Sequence, residues 1–164
     1  MSLATKLVGS PAPEFALTNL EGTTVSSTES LGVPLVLVFF TENCVWCRTE
    51  LPRMSDVYRH LKHELVHVIG VLANCADTVE AARFVQEYQL EFPVLLDSDG
   101  KVTVDFEIAR VPTVVVIDRE GTIVRVYEGA TEQLPGILQQ TILSVLGRHE
   151  LPDYSLVGNG CAPS

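Results

Sequence analysis

The sequence predicts an α/β fold in which helices flank a mixed central sheet. Apolar runs with strand character alternate with stretches of helical periodicity in the order βα, βα, β, followed by a β-hairpin and a last helix. The 164 residues suffice for one domain with a sizeable core. We therefore expect a single domain over residues 1–164, with a core at about 8–146 and a Gly/Pro-rich tail at 147–164.

A small hairpin and a buried strand open the predicted order of elements. Strand-like residues at 15–18 and 23–26 flank Glu21-Gly22, which is typical of a tight turn. The run Leu35–Phe40 is apolar without alternation, which indicates a strand buried on both faces. The later elements are a helix at 48–62, a strand at 66–72, a helix capped by Asp77, a short strand at 93–97, a helical turn at 105–109, an antiparallel hairpin at 113–118 and 122–127, and a helix at 134–146.

The composition restricts the classes of partner. A net charge of −10 argues against nucleic acid, because phosphate binding requires a basic surface. No stretch approaches the roughly 20 apolar residues of a membrane span, and the first seven residues contain no apolar signal region. Two explanations stay open: a cytoplasmic protein, or an extracytoplasmic one whose signal or membrane anchor has been removed.

Two cysteines, Cys44 and Cys47, lie where a buried strand passes into a helix. A spacing of two residues at such a junction is typical of dithiol–disulfide chemistry. The helix N-terminus presents unpaired N–H groups and a partial positive charge, so we expect a lowered pKa for Cys44. Glu42 and Glu50 would oppose this effect, but the helix end acts at shorter range. Cys47, further inside the helix, is expected to have the higher pKa.

A zinc site and a pair of inert core cysteines are the alternatives. Structural zinc requires four ligands, usually from a second paired cluster, whereas Cys75 and Cys161 are single and far apart. The position at a strand end argues against inert cysteines. Redox chemistry without a metal or a cofactor is therefore the favoured interpretation.

Five motifs occur in a fixed order along the chain. They are GSPAPEFAL at 9–17, CVWCRTELP at 44–52, FPVLLD at 92–97, VPT at 111–113 and IDREG at 117–121. Together they resemble the TlpA/ResA-like thiol–disulfide oxidoreductases of the thioredoxin superfamily, over about residues 8–145. The resemblance implies a thioredoxin-like fold with a central βα insertion. It also implies an enzyme that exchanges disulfides with protein substrates through a Cys44–Cys47 couple.

The resemblance also implies roles for individual residues. Cys44 corresponds to the exposed cysteine that attacks the substrate, and Cys47 to the cysteine that resolves the mixed disulfide. Glu50 matches a carboxylate that is held near the active site and influences thiol ionisation. Pro112 matches the cis-proline that faces the two cysteines. The backbone of Val111 and Pro112 would then present pairing groups to an extended substrate peptide.

The chain departs from the family beside both cysteines. Asn43 stands where the family usually has Trp, and Trp46 stands where Pro is common. Intervening residues change the relative stability of thiolate and disulfide, so the resemblance does not fix a redox potential. Trp46 is a candidate for substrate or partner contact, with capping of the site and simple packing as the alternatives.

Two other functions stay open. A peroxiredoxin-like thiol peroxidase shares the fragment Thr41-x-x-Cys44, but its fuller pattern has Pro at the position of Leu37. A non-enzymatic copper-binding relative would place three residues between its cysteines and recruit a distant His. The histidines at 60, 63 and 67 are better explained as residues of a solvated helix end and the next strand.

The resemblance also suggests a location and partners. It implies an extracytoplasmic protein, periplasmic or membrane-anchored, if a signal has been removed, and a cytoplasmic protein otherwise. The partners would be protein dithiols or disulfides, apocytochrome c among them, and an upstream dithiol donor.

The other two cysteines are less constrained. Cys75 is expected to be a buried small residue, with a second redox thiol or a partner of Cys161 as alternatives. Cys161 is expected in a flexible tail, where it forms an intermolecular disulfide or has no role.

Overall fold

A mixed β-sheet forms the centre of the structure, a computed structural model that describes residues 6–147 and 158–163. Within these residues the strands are β1 (Ala16–Asn19), β2 (Thr24–Ser26), β3 (Leu35–Phe40), β4 (His67–Ala73), β5 (Val94–Asp97), β6 (Thr113–Ile117) and β7 (Ile123–Glu128). The α-helices are α1 (Val45–Leu61), α2 (Thr78–Glu87), α3 (Lys101–Asp105) and α4 (Leu134–Val145). The strand order is β2-β1-β5-β4-β3-β6-β7.

The direction of the strands follows from their connections. β3, β4 and β5 are parallel neighbours joined by the crossover helices α1 and α2. β6 and β7 add an antiparallel hairpin at one side, and the β1–β2 hairpin pairs antiparallel with β5 at the other. This architecture confirms the predicted mixed sheet with an N-terminal hairpin and a βα insertion.

Helices cover both faces of the sheet. α1 and α2 share one face, because two right-handed crossovers that step in the same direction must lie on the same side. Phe40 of β3 accordingly stacks on Phe84 of α2, with ring centroids 5.7 Å apart. The neighbouring residue Phe39 points to the other face and meets Phe106, just after α3, at 5.3 Å. Every residue of β3 is buried, as its apolar run predicts.

The helical turn expected at 105–109 is wrong in position, because the helix lies earlier, at Lys101–Asp105. The buried Asp97 side chain determines where it begins. Its carboxylate accepts the backbone N–H groups of Val102 and Thr103, and also the Thr103 hydroxyl. These bonds satisfy N–H groups that the first turn of a helix leaves without intrahelical partners.

The expected flexible tail is only partly within the described structure. Residues 148–157 and 164 lie outside it. The 158–163 segment pairs with the main chain, since Cys161 bridges to Val111 and Asn159 bridges to Ala130. The flexible placement expected for Cys161 is therefore wrong, because backbone hydrogen bonds hold it against the sheet. Among the described residues, no helix combines the length and hydropathy needed to cross a bilayer.

Candidate active site

Cys44 caps the N-terminus of α1, directly beyond the carboxyl end of β3. Its backbone is extended, with φ −90° and ψ 111°, and its Sγ accepts the Cys47 backbone N–H at 3.1 Å. The Cys44 thiol donates in turn to the Val111 carbonyl oxygen at 3.3 Å. One turn of helix therefore places the two cysteines together, beside the loop that precedes β6.

Both cysteines of the pair are buried free thiols, with no measurable solvent exposure. Burial raises the pKa of Cys44, and the hydrogen bond from the Cys47 N–H opposes that rise only in part. Burial and the neighbouring Cys44 raise the pKa of Cys47. The expectations of an exposed Cys44 with a lowered pKa are therefore wrong for this structure.

Burial is the main cause of the raised Cys44 pKa, and Cys161 contributes to the rise. Its side chain lies beside the Cys44 thiol and interacts with it. The Cys161 sulfur also lies near the backbone N–H groups of Val45 and Trp46 at the start of α1. The Cys44 side chain lowers the pKa of Cys161, and so do these helix-end N–H groups, which were expected to favour a Cys44 thiolate.

Val111 and Pro112 lie at the same site. The Val111–Pro112 peptide bond is cis. The Val111 N–H donates to the Cys161 carbonyl, and the Val111 carbonyl accepts the Cys161 N–H, both at 2.8 Å. The backbone groups expected to pair with a substrate peptide are thus occupied by the chain's own 158–163 segment. Sequence reasoning missed this contact, although Gly158 and Gly160 were available as signals of a close backbone approach.

Glu50 lies on the buried side of α1, one turn after Cys47. Its Oε2 accepts from Arg53 at 3.3 Å, while its buried Oε1 has no hydrogen-bond partner among the described residues. Burial raises the pKa of Glu50, and the Arg53 charge and the Thr131 backbone oppose that rise. The carboxyl is therefore buried one helical turn after Cys47 and pairs with Arg53.

Trp46 is 39% exposed and lies at the mouth of the site. It helps to form a groove whose other lining residues are Thr49, Arg53, Arg110, Ala130, Thr131, Glu132, Gln133, Gly158 and Asn159. The groove runs alongside the 158–163 segment and contains two arginines, although the chain as a whole is acidic. Trp46 is thus available to a partner that approaches Cys44.

Cys75 lies apart from the pair, after β4. It is buried, and its thiol donates to Glu42 Oε1 at 2.7 Å. Burial and the adjacent Glu42 carboxylate raise the pKa of Cys75 to about 12. The alternative that paired it with Cys161 is wrong, because Cys161 lies against Cys44.

Two of the three histidines considered for copper binding form hydrogen bonds elsewhere. His60 lies on α1 and bonds to the Asp56 carbonyl, whereas His67 begins β4 and bonds to the Ser30 hydroxyl. Within residues 6–147 and 158–163, no three His, Cys, Asp or Glu side chains form a group that could hold a metal ion.

Comparison with known proteins gives a consistent set of relatives. Residues 8–126 match the AhpC/TSA family. The thiol-disulfide oxidoreductase ResA of Bacillus cereus is 32% identical over 135 residues, which cover 81% of this chain and 78% of the relative.

Two solved structures extend this picture. A protein of Chlorobium tepidum assigned as a thiol:disulfide interchange protein DsbE superposes with a TM-score of 0.78 at 29% identity, covering 85% of this chain and 98% of the other. A secreted Mycobacterium tuberculosis disulfide oxidoreductase homologous to E. coli DsbE has a TM-score of 0.60 at 30% identity, covering 66% and 79%. The chain belongs to the AhpC/TSA family and, within it, to the TlpA/ResA-like thiol–disulfide oxidoreductases of thioredoxin-like fold.

Proposed function

We propose that the protein is a thiol–disulfide oxidoreductase that exchanges disulfides with protein substrates through Cys44 and Cys47. The observation that carries this proposal is the 3.1 Å hydrogen bond from the Cys47 N–H to the Cys44 sulfur at the N-terminus of α1. It places two thiols one helical turn apart at the edge of the sheet where parallel strands end. A pair of thiols in this arrangement can close and open a disulfide without rearrangement of the fold.

The exchange proceeds in two balanced steps. The Cys44 thiolate attacks one sulfur of a substrate disulfide, whose S–S bond breaks, and the other substrate sulfur leaves as a thiolate. The Cys47 thiolate then attacks the Cys44 sulfur, so the second substrate sulfur leaves and a Cys44–Cys47 disulfide remains. Two electrons pass from the enzyme dithiol to the substrate disulfide, and an upstream dithiol donor restores the reduced enzyme.

Ionisation of Cys44 is the step that this structure opposes. The bond from the Cys44 thiol to the Val111 carbonyl favours the protonated form, and so does burial. Attack therefore requires the site to open and the proton to leave. We assign Glu50 as a positioning residue on the family resemblance; its carboxyl is buried one helical turn after Cys47 and pairs with Arg53.

Substrate contact is proposed at Val111, Pro112 and Trp46. A main chain with a free N–H and C=O can take up an extended peptide by strand pairing. Val111 would offer both groups to a substrate after Cys161, which pairs with them in this structure, has moved away. Trp46 adds an exposed aromatic surface beside the groove. The roles of these residues rest on their position around Cys44.

An extracytoplasmic location is proposed as well, periplasmic or membrane-anchored. The secreted relative from Mycobacterium tuberculosis and the TlpA/ResA-like motifs support it. Apocytochrome c is the substrate that the family resemblance suggests, and the donor would be a dithiol protein of the same compartment.

A reductase assay tests the proposal and separates it from a thiol peroxidase. The protein should accelerate the reduction of disulfide-bonded insulin by dithiothreitol, while consuming hydrogen peroxide slowly. Cys44→Ser should abolish the acceleration, and Cys75→Ser, which removes a buried thiol outside the pair, should retain it. Rapid peroxide turnover with no insulin reduction would replace this proposal with the peroxidase.

A further inference from the structure

The 158–163 segment lies across the active site as an additional strand. Asn159 and Ala130 exchange two backbone hydrogen bonds, of 3.2 and 2.5 Å, and Cys161 and Val111 exchange two of 2.8 Å. The Gly158 N–H donates to the Glu128 carbonyl. The segment therefore continues the hydrogen bonding of two chain stretches, one after β7 and one before β6.

Side chains reinforce this docking at both ends of the segment. Arg110 donates to the Gly158 carbonyl at 3.4 Å, and the Asn74 amide donates to the Pro163 carbonyl at 2.5 Å. Asn74 follows β4, so the segment spans the ends of several strands rather than touching one loop. Contacts distributed in this way fix both the direction and the register of the segment.

Glycines permit the close approach. A Cβ on Gly158 would overlap the Ala130 carbonyl, and a Cβ on Gly160 would lie 2.8 Å from the Val111 carbonyl oxygen. Gly129 has φ +81°, and a Cβ there would overlap the backbone of Gly158. The chain thus lacks side chains on both sides of the contact, where the two backbones meet.

The docked register places the sulfur of Cys161 beside that of Cys44. Cys161 forms with Val111 the backbone pairing that an extended substrate would form. The Cys44 thiol donates to the same Val111 carbonyl that accepts the Cys161 N–H. A sulfur at this position lies where the sulfur of a bound substrate cysteine would lie.

We propose that Cys161 is a third redox-active cysteine, which forms a disulfide with Cys44 and occupies the place of a substrate cysteine. This inference rests on the proposed function, because it requires Cys44 to be the exchanging thiol. It adds an internal partner to the Cys44–Cys47 couple.

The chemistry is a disulfide exchange within one chain. In the oxidised enzyme the Cys161 thiolate attacks the Cys44 sulfur, the Cys44–Cys47 bond breaks, and Cys47 leaves as a thiolate that takes up a proton. One disulfide is present before and after, so no external oxidant is consumed. Starting from a mixed disulfide on Cys44, the same attack releases the substrate thiol and leaves a Cys44–Cys161 disulfide.

Oxidation of a Cys47→Ser variant by oxidised glutathione tests the proposal. Cys44 attacks glutathione disulfide, and Cys161 then displaces glutathione from Cys44. Intact mass and peptide mapping should show an intramolecular Cys44–Cys161 disulfide exceeding the glutathione adduct about tenfold at roughly millimolar glutathione, because a docked thiol has a high effective concentration. Cys47→Ala repeats the test if the serine disturbs the fold.

Gly158→Ala, added to Cys47→Ser, is the matched variant. It keeps all the remaining cysteines but prevents close docking against Ala130, so the glutathione adduct on Cys44 should replace the internal disulfide. The proposal is overturned if Cys47→Ser and Cys47→Ala carry only the glutathione adduct, with Cys161 open to alkylation. Cys161→Ser separates failure of the Cys161 proposal from failure of the proposed oxidoreductase function. If this variant still forms the Cys44–Cys47 disulfide and reduces insulin, the oxidoreductase function holds even where the Cys161 proposal fails.

Discussion

Cys161 and Val111 exchange a pair of backbone hydrogen bonds, each 2.8 Å long, at the point where the Cys44 thiol meets the Val111 carbonyl. This pairing explains why Cys44 is buried although it begins a helix at the edge of the sheet. The structure thus represents a closed site. In the proposed function, a protein substrate would reach Cys44 and Val111 after the 158–163 segment leaves.

Release of this segment should make Cys44 more reactive. In Gly158→Ala the segment no longer seals the site, so water reaches Cys44 and the N–H groups of Val45 and Trp46 become available to it. The Cys44 pKa, raised in the closed site, should then fall. The larger thiolate fraction should increase the alkylation rate at pH 7 by about tenfold.

Alkylation rates of Cys44 against pH, followed by peptide mass spectrometry, measure this change. Gly136→Ala provides a control glycine substitution, because a Cβ at Gly136 in α4 meets no atom within 4 Å. Equal pH profiles for wild type and Gly158→Ala would show that the segment does not control Cys44.

Glu50→Gln should change the pH dependence of stability. The folded-state pKa of Glu50 lies above its ordinary value of 4.5, so the folded state favours the protonated carboxyl. The resulting contribution of Glu50 to the free energy of unfolding is fully present below pH 4.5 and is lost as the pH rises through the folded-state pKa. The free energy of unfolding of wild type should therefore fall relative to Glu50→Gln between about pH 4 and pH 7.

Urea denaturation at several pH values measures that difference. Arg53→Gln provides the opposite change, because loss of the Arg53 charge should raise the Glu50 pKa further and steepen the loss of stability. A difference between wild type and Glu50→Gln that stays constant with pH would contradict the raised pKa.

Gly70 and Gly136 should respond in opposite ways to alanine. Gly70 lies in β4, where a Cβ would come within 2.8 Å of the Phe92 ring and 3.0 Å of the Phe40 ring. Gly70→Ala should cost about 1–3 kcal/mol through overpacking. Gly136→Ala has open space in α4 and should stabilise by about 0.5–1 kcal/mol. Denaturant midpoints of the two variants compare them directly, and similar midpoints would contradict the close packing around Gly70.

The parts of the fold that local sequence specifies were predicted with little error. β3 matches the predicted residues because six consecutive apolar residues have few other ways to be buried. Asp77 caps α2 as predicted, since its side chain accepts the N–H groups of Val79 and Glu80. These elements depend on neighbours in sequence, which pattern analysis can read.

Long-range contacts were the parts that sequence reasoning missed. The position of α3 depends on the buried carboxylate of Asp97, and the state of Cys44 depends on Cys161, far along the chain. A helix N-terminus predicts a lowered cysteine pKa only if its donors face that cysteine. Here the N–H groups of Val45 and Trp46 lower the pKa of Cys161 instead, and the sequence pattern does not indicate this long-range contact.

The order of attack is the central claim, and disulfide trapping measures it most directly. Because Cys161 is proposed to displace a substrate from Cys44, the trap is built in a Cys161→Ser background. Cys47→Ser in this background should accumulate a mixed disulfide between Cys44 and a single-disulfide protein substrate. The mixed disulfide should be visible on non-reducing gels and should disappear when the sample is treated with dithiothreitol. Cys44→Ser in the same background should accumulate none, since Cys47 is buried and has a strongly raised pKa. A mixed disulfide on Cys47 in the Cys44→Ser variant, together with no mixed disulfide on Cys44 in the Cys47→Ser variant, would contradict the proposed order of attack.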